Sequence, residues 1–304
     1  MGVSTELSSD GNVPFAERLE AARGELRRHI QELGLGRISD ELVALAKLSI
    51  RIRTEPASEE EREPGCSKLG GTPDLPEGMA WPECNGVPMG LLAQLRMSDV
   101  APYDPEGQLP KEKGMLYFFY EAKELRWGFD PKDEGNWKVV FSEDGTLRPA
   151  APPSELPGES QFRACRVSFC NELTLPGWDC DEIVSLELSD SEMEGYVTFP
   201  GTDCREGETV HRLFGHPEQI QRDMRLQCQL VSHGLYMGNS SGYDDPRRPA
   251  LEAGAEDWQL LLQIDSDDHM GTVWGDCGRI YYWIRQQDLR DRDFGRAWLV
   301  LQCY

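Results

Sequence analysis

The sequence predicts an α+β protein, mainly antiparallel β, with two related β-rich halves and an N-terminal helical hairpin. Three observations lead there. Aromatic and β-branched runs bounded by Gly, Pro and Asp recur along most of the chain. Helical periodicity is confined to the start and one later stretch. The third observation is an echo. Leu91-Leu92-Ala93-Gln94-Leu95, Met115-Leu116-Tyr117-Phe118-Phe119 and Trp137-Lys138-Val139-Val140-Phe141 are answered by Leu261-Leu262-Gln263-Ile264, Arg279-Ile280-Tyr281-Tyr282-Trp283 and Trp298-Leu299-Val300-Leu301. Ahead of each series stands a Gly-Pro turn, Leu69-Gly70-Gly71-Thr72-Pro73-Asp74 and Leu213-Phe214-Gly215-His216-Pro217-Glu218. The same order twice implies a doubled unit whose copies bury their apolar faces against each other.

Residues 1–12 form a polar tail, and residues 13–48 the hairpin. From Pro14, Phe15, Leu19, Ala22, Leu26, Ile30 and Leu33 share one helical face, and Gly34 and Gly36 stop the helix. Ser39-Asp40 reads as the N-cap of a second helix carrying Leu42, Leu45 and Leu48, which leads into a strand near 49–53. Glu55–Glu63 is an acidic loop. Strands are predicted at 91–96, 115–121, 137–142, 184–188, 259–264, 279–285 and 297–302. Pro149, Pro152, Pro153 and Pro157 mark 147–161 as a linker. Pro217 opens a helix to Gln227 with Ile220, Met224 and Leu226 inward, and 240–257 is a loop. Residues 49–304 thus form one domain, with half one at 64–146, a connecting segment at 147–204 and half two at 205–304.

Composition narrows the function. A chain of 304 residues builds a large core without covalent staples. With 31 basic and 54 acidic residues the net charge is −23, which repels nucleic acid and anionic membrane surfaces and suits a basic protein, a cation or plain solvation. Nine cysteines, none in a Cys-x-x-Cys pair, read as reduced thiols. The opening residues lack a basic start followed by an apolar run, and no apolar run approaches the eighteen or so residues of a membrane span. The expected compartment is the cytoplasm.

The densest polar cluster is Asp265-Ser266-Asp267-Asp268-His269, followed by Trp274-Gly275-Asp276-Cys277-Gly278-Arg279. It connects two strands. Alternation puts Asp265 and Asp267 on one side, about 7 Å apart if the strand continues, where a cation, ligand amines or Arg279 would relieve their repulsion. The ordinary alternative is turn and strand-end capping. His216, ahead of the predicted helix, is placed to meet an anionic group or simply to bond within its turn. The spacing fits neither an EF-hand loop nor a standard zinc set of His211, His269 and Cys277. Gly238-Asn239-Ser240-Ser241-Gly242 matches a nucleophile elbow, but Asp244, Asp245, Pro246 and Pro249 stand where a helix is required. A Cys277–His216 thiol pair is conceivable. Trp81, Trp127 and Trp274, beside Pro, Gly or Asp, are candidates for a pocket wall, and the likeness of Trp127-Gly128 to Trp274-Gly275 suggests paired placement at the junction of the halves.

Lys68-Leu69-Gly70-Gly71-Thr72-Pro73-Asp74-Leu75-Pro76, Trp81-Pro82, Leu91-Leu92-Ala93-Gln94, Gly114-Met115-Leu116-Tyr117-Phe118-Phe119, Gly215-His216-Pro217, Leu262-Gln263-Ile264-Asp265-Ser266-Asp267 and Trp274-Gly275-Asp276-Cys277-Gly278-Arg279-Ile280-Tyr281 resemble, in order, the YwqG-like family (DUF1963), a mainly bacterial domain of unknown function. The resemblance covers about residues 45–304 and implies a compact α+β domain rich in antiparallel sheet. It implies no activity, cofactor or catalytic residue. The sequence therefore points to a cytoplasmic module that binds a small ligand or a basic protein in an acidic cleft between its halves. The expected ligand-binding residues are Asp265, Asp267, Asp268, Trp274, Asp276, Arg279 and His216, with no catalytic residue, metal or cofactor assigned. The alternative is a hydrolase or metal-dependent enzyme using the same acids.

Overall fold

The computed structural model describes residues 6–7, 13–58, 63–111, 113–143, 145–198 and 209–304. Most of the polar tail, residues 59–62 of the acidic stretch and residues 205–208 at the head of half two lie outside the described residues. Ten strands form one sheet: β1 (Lys47–Pro56), β2 (Lys68–Leu69), β3 (Gly90–Arg96), β4 (Met115–Tyr120), β5 (Trp137–Ser142), β6 (Cys165–Thr174), β7 (His211–Phe214), β8 (Trp258–Asp265), β9 (Arg279–Arg285) and β10 (Trp298–Gln302). Their spatial order is β10-β9-β8-β7-β1-β6-β2-β3-β4-β5, antiparallel throughout. The centre is the pair β1–β6, matched residue for residue from Lys47 with Thr174 to Pro56 with Cys165. A short strand flanks each member of that pair, and three longer strands follow it outward.

The two flanks share a buried polar clasp. Lys68 lies opposite Gln94, and Gln94 opposite Tyr117. Across the centre, Arg212 lies opposite Gln263, and Gln263 opposite Tyr281. Gln94 Oε1 accepts from the Asp74 N–H at 2.7 Å, and its Nε2 donates to the Cys66 carbonyl at 2.9 Å. Gln263 does the same with the Glu218 N–H at 2.9 Å and the Val210 carbonyl at 2.8 Å. Tyr117 Oη donates to the Asp74 carbonyl, and Tyr281 Oη to the Glu218 carbonyl, each at 2.6 Å. Lys68 Nζ donates to the Thr72 carbonyl, as Arg212 does to that of His216. Both turns enter the left-handed region twice, at Gly70 and Gly71 and at Phe214 and Gly215. Gly70 has no room for anything larger, since a Cβ there would sit 2.2 Å from the Arg163 carbonyl.

The sheet curls until its edge strands meet. Trp137 of β5 and Trp298 of β10 pack edge to face at 5.0 Å, and Trp137 Nε1 donates to the Ala297 carbonyl at 2.8 Å. Residues 127–128 lie along β10, where Leu301 N–H donates to the Trp127 carbonyl. Inside the curl both halves share one core, with Phe118 against Tyr282 at 5.1 Å and the Tyr282 hydroxyl on the Phe119 carbonyl. Outside it, helices α1 (Phe15–Glu32) and α2 (Ser39–Leu45) bury Leu26, Ile30 and Leu42 in a second core. Leu173 of β6 and Ile183 and Tyr196 of α3 (Asp181–Val184) and α4 (Asp190–Val197) complete that core.

Three sequence expectations change. Residues 184–188 are not a strand, because α3 ends at Val184 and a turn follows. The helix expected at 217–227 is instead α5, Arg225–Val231. Residues 217–222 are drawn out across the sheet, where Gln302 Oε1 accepts from the N–H groups of Ile220 and Gln221 and its Nε2 donates to the Arg222 carbonyl. The stretch 240–257, expected as a loop, carries a short helix at Arg248–Leu251 and a 3-10 helix at Glu252–Asp257. Trp127, between β4 and β5, and Trp274, between β8 and β9, each reach the other half, at Leu301 and Tyr120.

Because each clasp glutamine satisfies a buried N–H and a buried carbonyl, Gln94→Leu and Gln263→Leu are each expected to cost about 2–3 kcal/mol. Urea unfolding of the single variants checks this, through a fall in midpoint at unchanged slope.

Candidate functional site

The expected site residues fall into several surroundings. Asp265, at the end of β8, and Arg279, at the start of β9, are joined at 3.1 Å. They form one end of a buried chain of alternating charge. Arg279 reaches Glu218 at 3.3 Å, Glu218 reaches Arg212 at 3.2 Å, Arg212 reaches Glu172 at 3.1 Å, and Glu172 lies 3.9 Å from Arg51. Three cations face three carboxylates, so the chain is neutral, which is what permits its burial. The Val210 N–H also donates to Asp265 at 2.9 Å.

Asp267 belongs to a second cluster, separated from Asp265 by His211. The Asp265 N–H donates to His211 Nδ1 at 3.0 Å. That leaves the proton on His211 Nε2, which donates to Asp267 Oδ2 at 3.1 Å. The Thr54 hydroxyl donates to the same oxygen at 2.8 Å, and the His269 N–H to Oδ1 at 2.7 Å. Burial alone would raise the Asp267 pKa. The hydrogen bonds from His211, Thr54 and His269 outweigh that and hold it at about 2. The His269 ring stands half exposed above this carboxylate, 3.9 Å away at its nearest nitrogen.

His269 and Asp268 border a groove of 990 Å³ between the halves. One wall is Trp81 and Leu91 from half one. The other is the proline-rich segment, through Pro152, Pro153, Leu156 and Phe162. Arg163, at the polar end, donates to the Asp268 carbonyl. Of the seven residues read as ligand contacts, Asp268 alone lines this groove. Trp274 is a core residue behind it, edge to face with Phe162 at 5.6 Å and Tyr120 at 6.0 Å. The Asp276 side chain is exposed, and its carbonyl accepts from the Tyr304 N–H. His216 lies in a smaller cavity of 380 Å³ where α1, β1 and half two meet, its Nε2 on the Leu45 carbonyl at 3.0 Å. Cys277 is in the exposed turn before β9, and no hydrogen bond joins it to His216. Among the described residues, no three His, Cys, Asp or Glu side chains are grouped to hold a metal ion. No helix among them is long and apolar enough to cross a membrane.

Two features escaped sequence reading. His211, the partner of Asp267, is 56 residues away from it, so no local pattern joins them. The prolines at 152 and 153 signalled a linker, and they also stiffen a groove wall.

A family model described as a domain of unknown function, DUF1963, matches residues 67–303, and the chain belongs to this family. The match begins at Ser67, one residue before the clasp residue Lys68, and leaves the helical hairpin and β1 outside it. No curated protein matches the chain.

The stabilisation from ionised Asp267 is complete above an unfolded aspartate's pKa of about 3.9 and is lost as pH falls towards 2. Asp267→Asn is expected to be less stable than the parent by about 2 kcal/mol near neutrality, with the gap closing between about pH 4 and pH 2. Denaturant titrations of both proteins across that range measure it.

Proposed function

We propose that the protein is a binding module that receives an extended, apolar segment of a basic protein partner in the groove between its halves. One observation carries this reading: the 990 Å³ groove has apolar and proline walls drawn from half one and from the connecting segment, and a polar rim at Arg163, Asp268 and His269. A net charge of −23 supplies long-range attraction for a basic partner. The prolines hold the groove wall without conformational cost at binding, and Trp81 offers a broad flat surface for an apolar side chain.

Within this reading Asp268 and His269 touch the ligand. Asp267 orients His269 from beneath, and Asp265, Arg279 and Trp274 hold the wall from behind. The matching order of strands and the matching clasps support descent of the two flanks from one duplicated unit, with the groove at the seam.

The test is fluorescence titration with lysine-containing peptides that carry a central Leu-Pro or Phe-Pro segment, against the parent, Trp81→Ala and Leu156→Glu. The parent is expected to saturate. Both variants are expected to lose at least tenfold in affinity, and added salt to weaken the parent's binding. Equal titrations of parent and variants would remove the groove from the reading.

A further inference from the structure

The groove has a counterpart. In half two, Leu213 pairs with Ile50 and Leu262, as Leu69 pairs with Cys165 and Ala93 in half one. Counting from these partners, Gly215, His216, Leu260 and Lys47 stand where Gly71, Thr72, Leu91 and Phe162 stand. The first four line the 380 Å³ cavity, and the second four line the groove. The same corner of each half is therefore hollow, and its chemistry differs. An aromatic wall residue is replaced by a lysine, and a threonine by a histidine.

Two polar groups in this second cavity are left without protein partners. The Lys47 ammonium, on an exposed residue at the cavity mouth, makes no hydrogen bond or ion pair with the described residues; the carboxylates of Glu182 and Asp223 act on it only at longer range. His216 is only 7 % exposed. Its Nε2–H is committed to the Leu45 carbonyl, and the hydroxyl of Thr174 accepts from its backbone N–H. Nδ1 is left as an acceptor with no protein donor. Burial, and then the charge of Lys47, hold the His216 pKa at about 3, so the ring is neutral and the lone pair persists at working pH. Arg225, also in the cavity lining, is occupied by Glu182 at 2.6 and 2.8 Å and by Asp223. The cavity thus presents a cation free to take an anion, and an acceptor free to take a proton donor.

We propose that the cavity at Lys47 and His216 is a second binding site, for a small carboxylate that also carries a hydroxyl or ammonium donor. The carboxylate sits on the Lys47 ammonium, and the donor on His216 Nδ1. This site stands apart from the groove and does not depend on its reading. A volume of 380 Å³ suits a small metabolite and excludes a folded partner.

Calorimetric titration of the full chain with malate, glutamate and succinate tests the proposal. Malate or glutamate is expected to bind saturably and at least tenfold more tightly than succinate, which lacks the donor. Lys47→Met is expected to abolish that binding, and Trp81→Ala, in the groove, to leave it unchanged. In the unmutated protein, acylation of Lys47 by acetic anhydride, followed by mass spectrometry, is expected to fall at least fivefold when the favoured acid is present, with other lysines unaffected. Absence of saturable binding by all three acids, undiminished binding by Lys47→Met, or equal acylation with and without ligand would each overturn the proposal.

Discussion

Ten residues of β1 lie against ten of β6, and the rest of the molecule hangs from that antiparallel ladder. Each strand of the pair carries one flank of the sheet, and each flank closes over the ladder's end through a turn locked by a clasp glutamine. The constraint is geometric. An antiparallel pair has a two-fold axis perpendicular to the sheet, so whatever one flank builds at its end of the ladder, a similar flank builds at the other. Two hollows at corresponding corners follow from this arrangement. A change in the β1–β6 register by one residue would turn both ladders' side chains to the opposite face and empty both clasps at once.

The ladder also explains why so much charge is inside. Arg51 on β1 and Glu172 on β6 lie on the central pair, and Arg212, Glu218, Asp265 and Arg279 extend their alternation across β7 to β9. A buried ionic chain adds little net stability compared with apolar packing, but removing one member strands its neighbour at a cost of about 3–5 kcal/mol. Such a chain favours one register, because its six groups come from five strands and the turn after β7. In half one the ion pair at the corresponding corner is Lys68 with Asp74, at 3.7 Å, and the pair Arg96–Met115 stands where half two has Asp265–Arg279. The flanks share a backbone plan and differ in how its core is filled.

What could be read in the sequence followed local pattern. The strands at 91–96, 115–121, 137–142, 279–285 and 297–302 are apolar runs that announce themselves, and the structure has strands there within a residue or two. β6, the central strand, did not, because Arg166, Ser168, Asn171 and Glu172 interrupt its apolar residues. Their partners come from β1, β7 and the Tyr103 carbonyl, far away in sequence. The stretch after Pro217 misled for the same reason, since Gln263 and Gln302 claim the N–H groups of Glu218, Ile220 and Gln221. The acidic cluster at 265–268 was visible as a concentration of charge, but its division was not. Asp265 and Asp267 turn inward to Arg279 and His211, and Asp268 turns out to the groove. One-residue spacing cannot show which carboxylate finds a buried cation.

The difference between the two hollows is an argument about chemistry rather than shape. Phe162 and Lys47 each stand three residues before the central-strand partner of the short flanking strand, yet the phenyl ring extends an apolar wall already built of Leu91, Leu156 and Trp81, whereas the ammonium stands at a cavity beside a neutral imidazole. An apolar groove gains by excluding water and therefore favours long, weakly polar ligands. A cavity with an ammonium at its mouth and a buried unpaired acceptor in its wall offers polar groups that a long apolar ligand leaves unmet, so it favours small charged ones. Two such surfaces on one chain do not compete for a ligand. The two positions thus differ in chemistry while the clasps keep the two backbones alike.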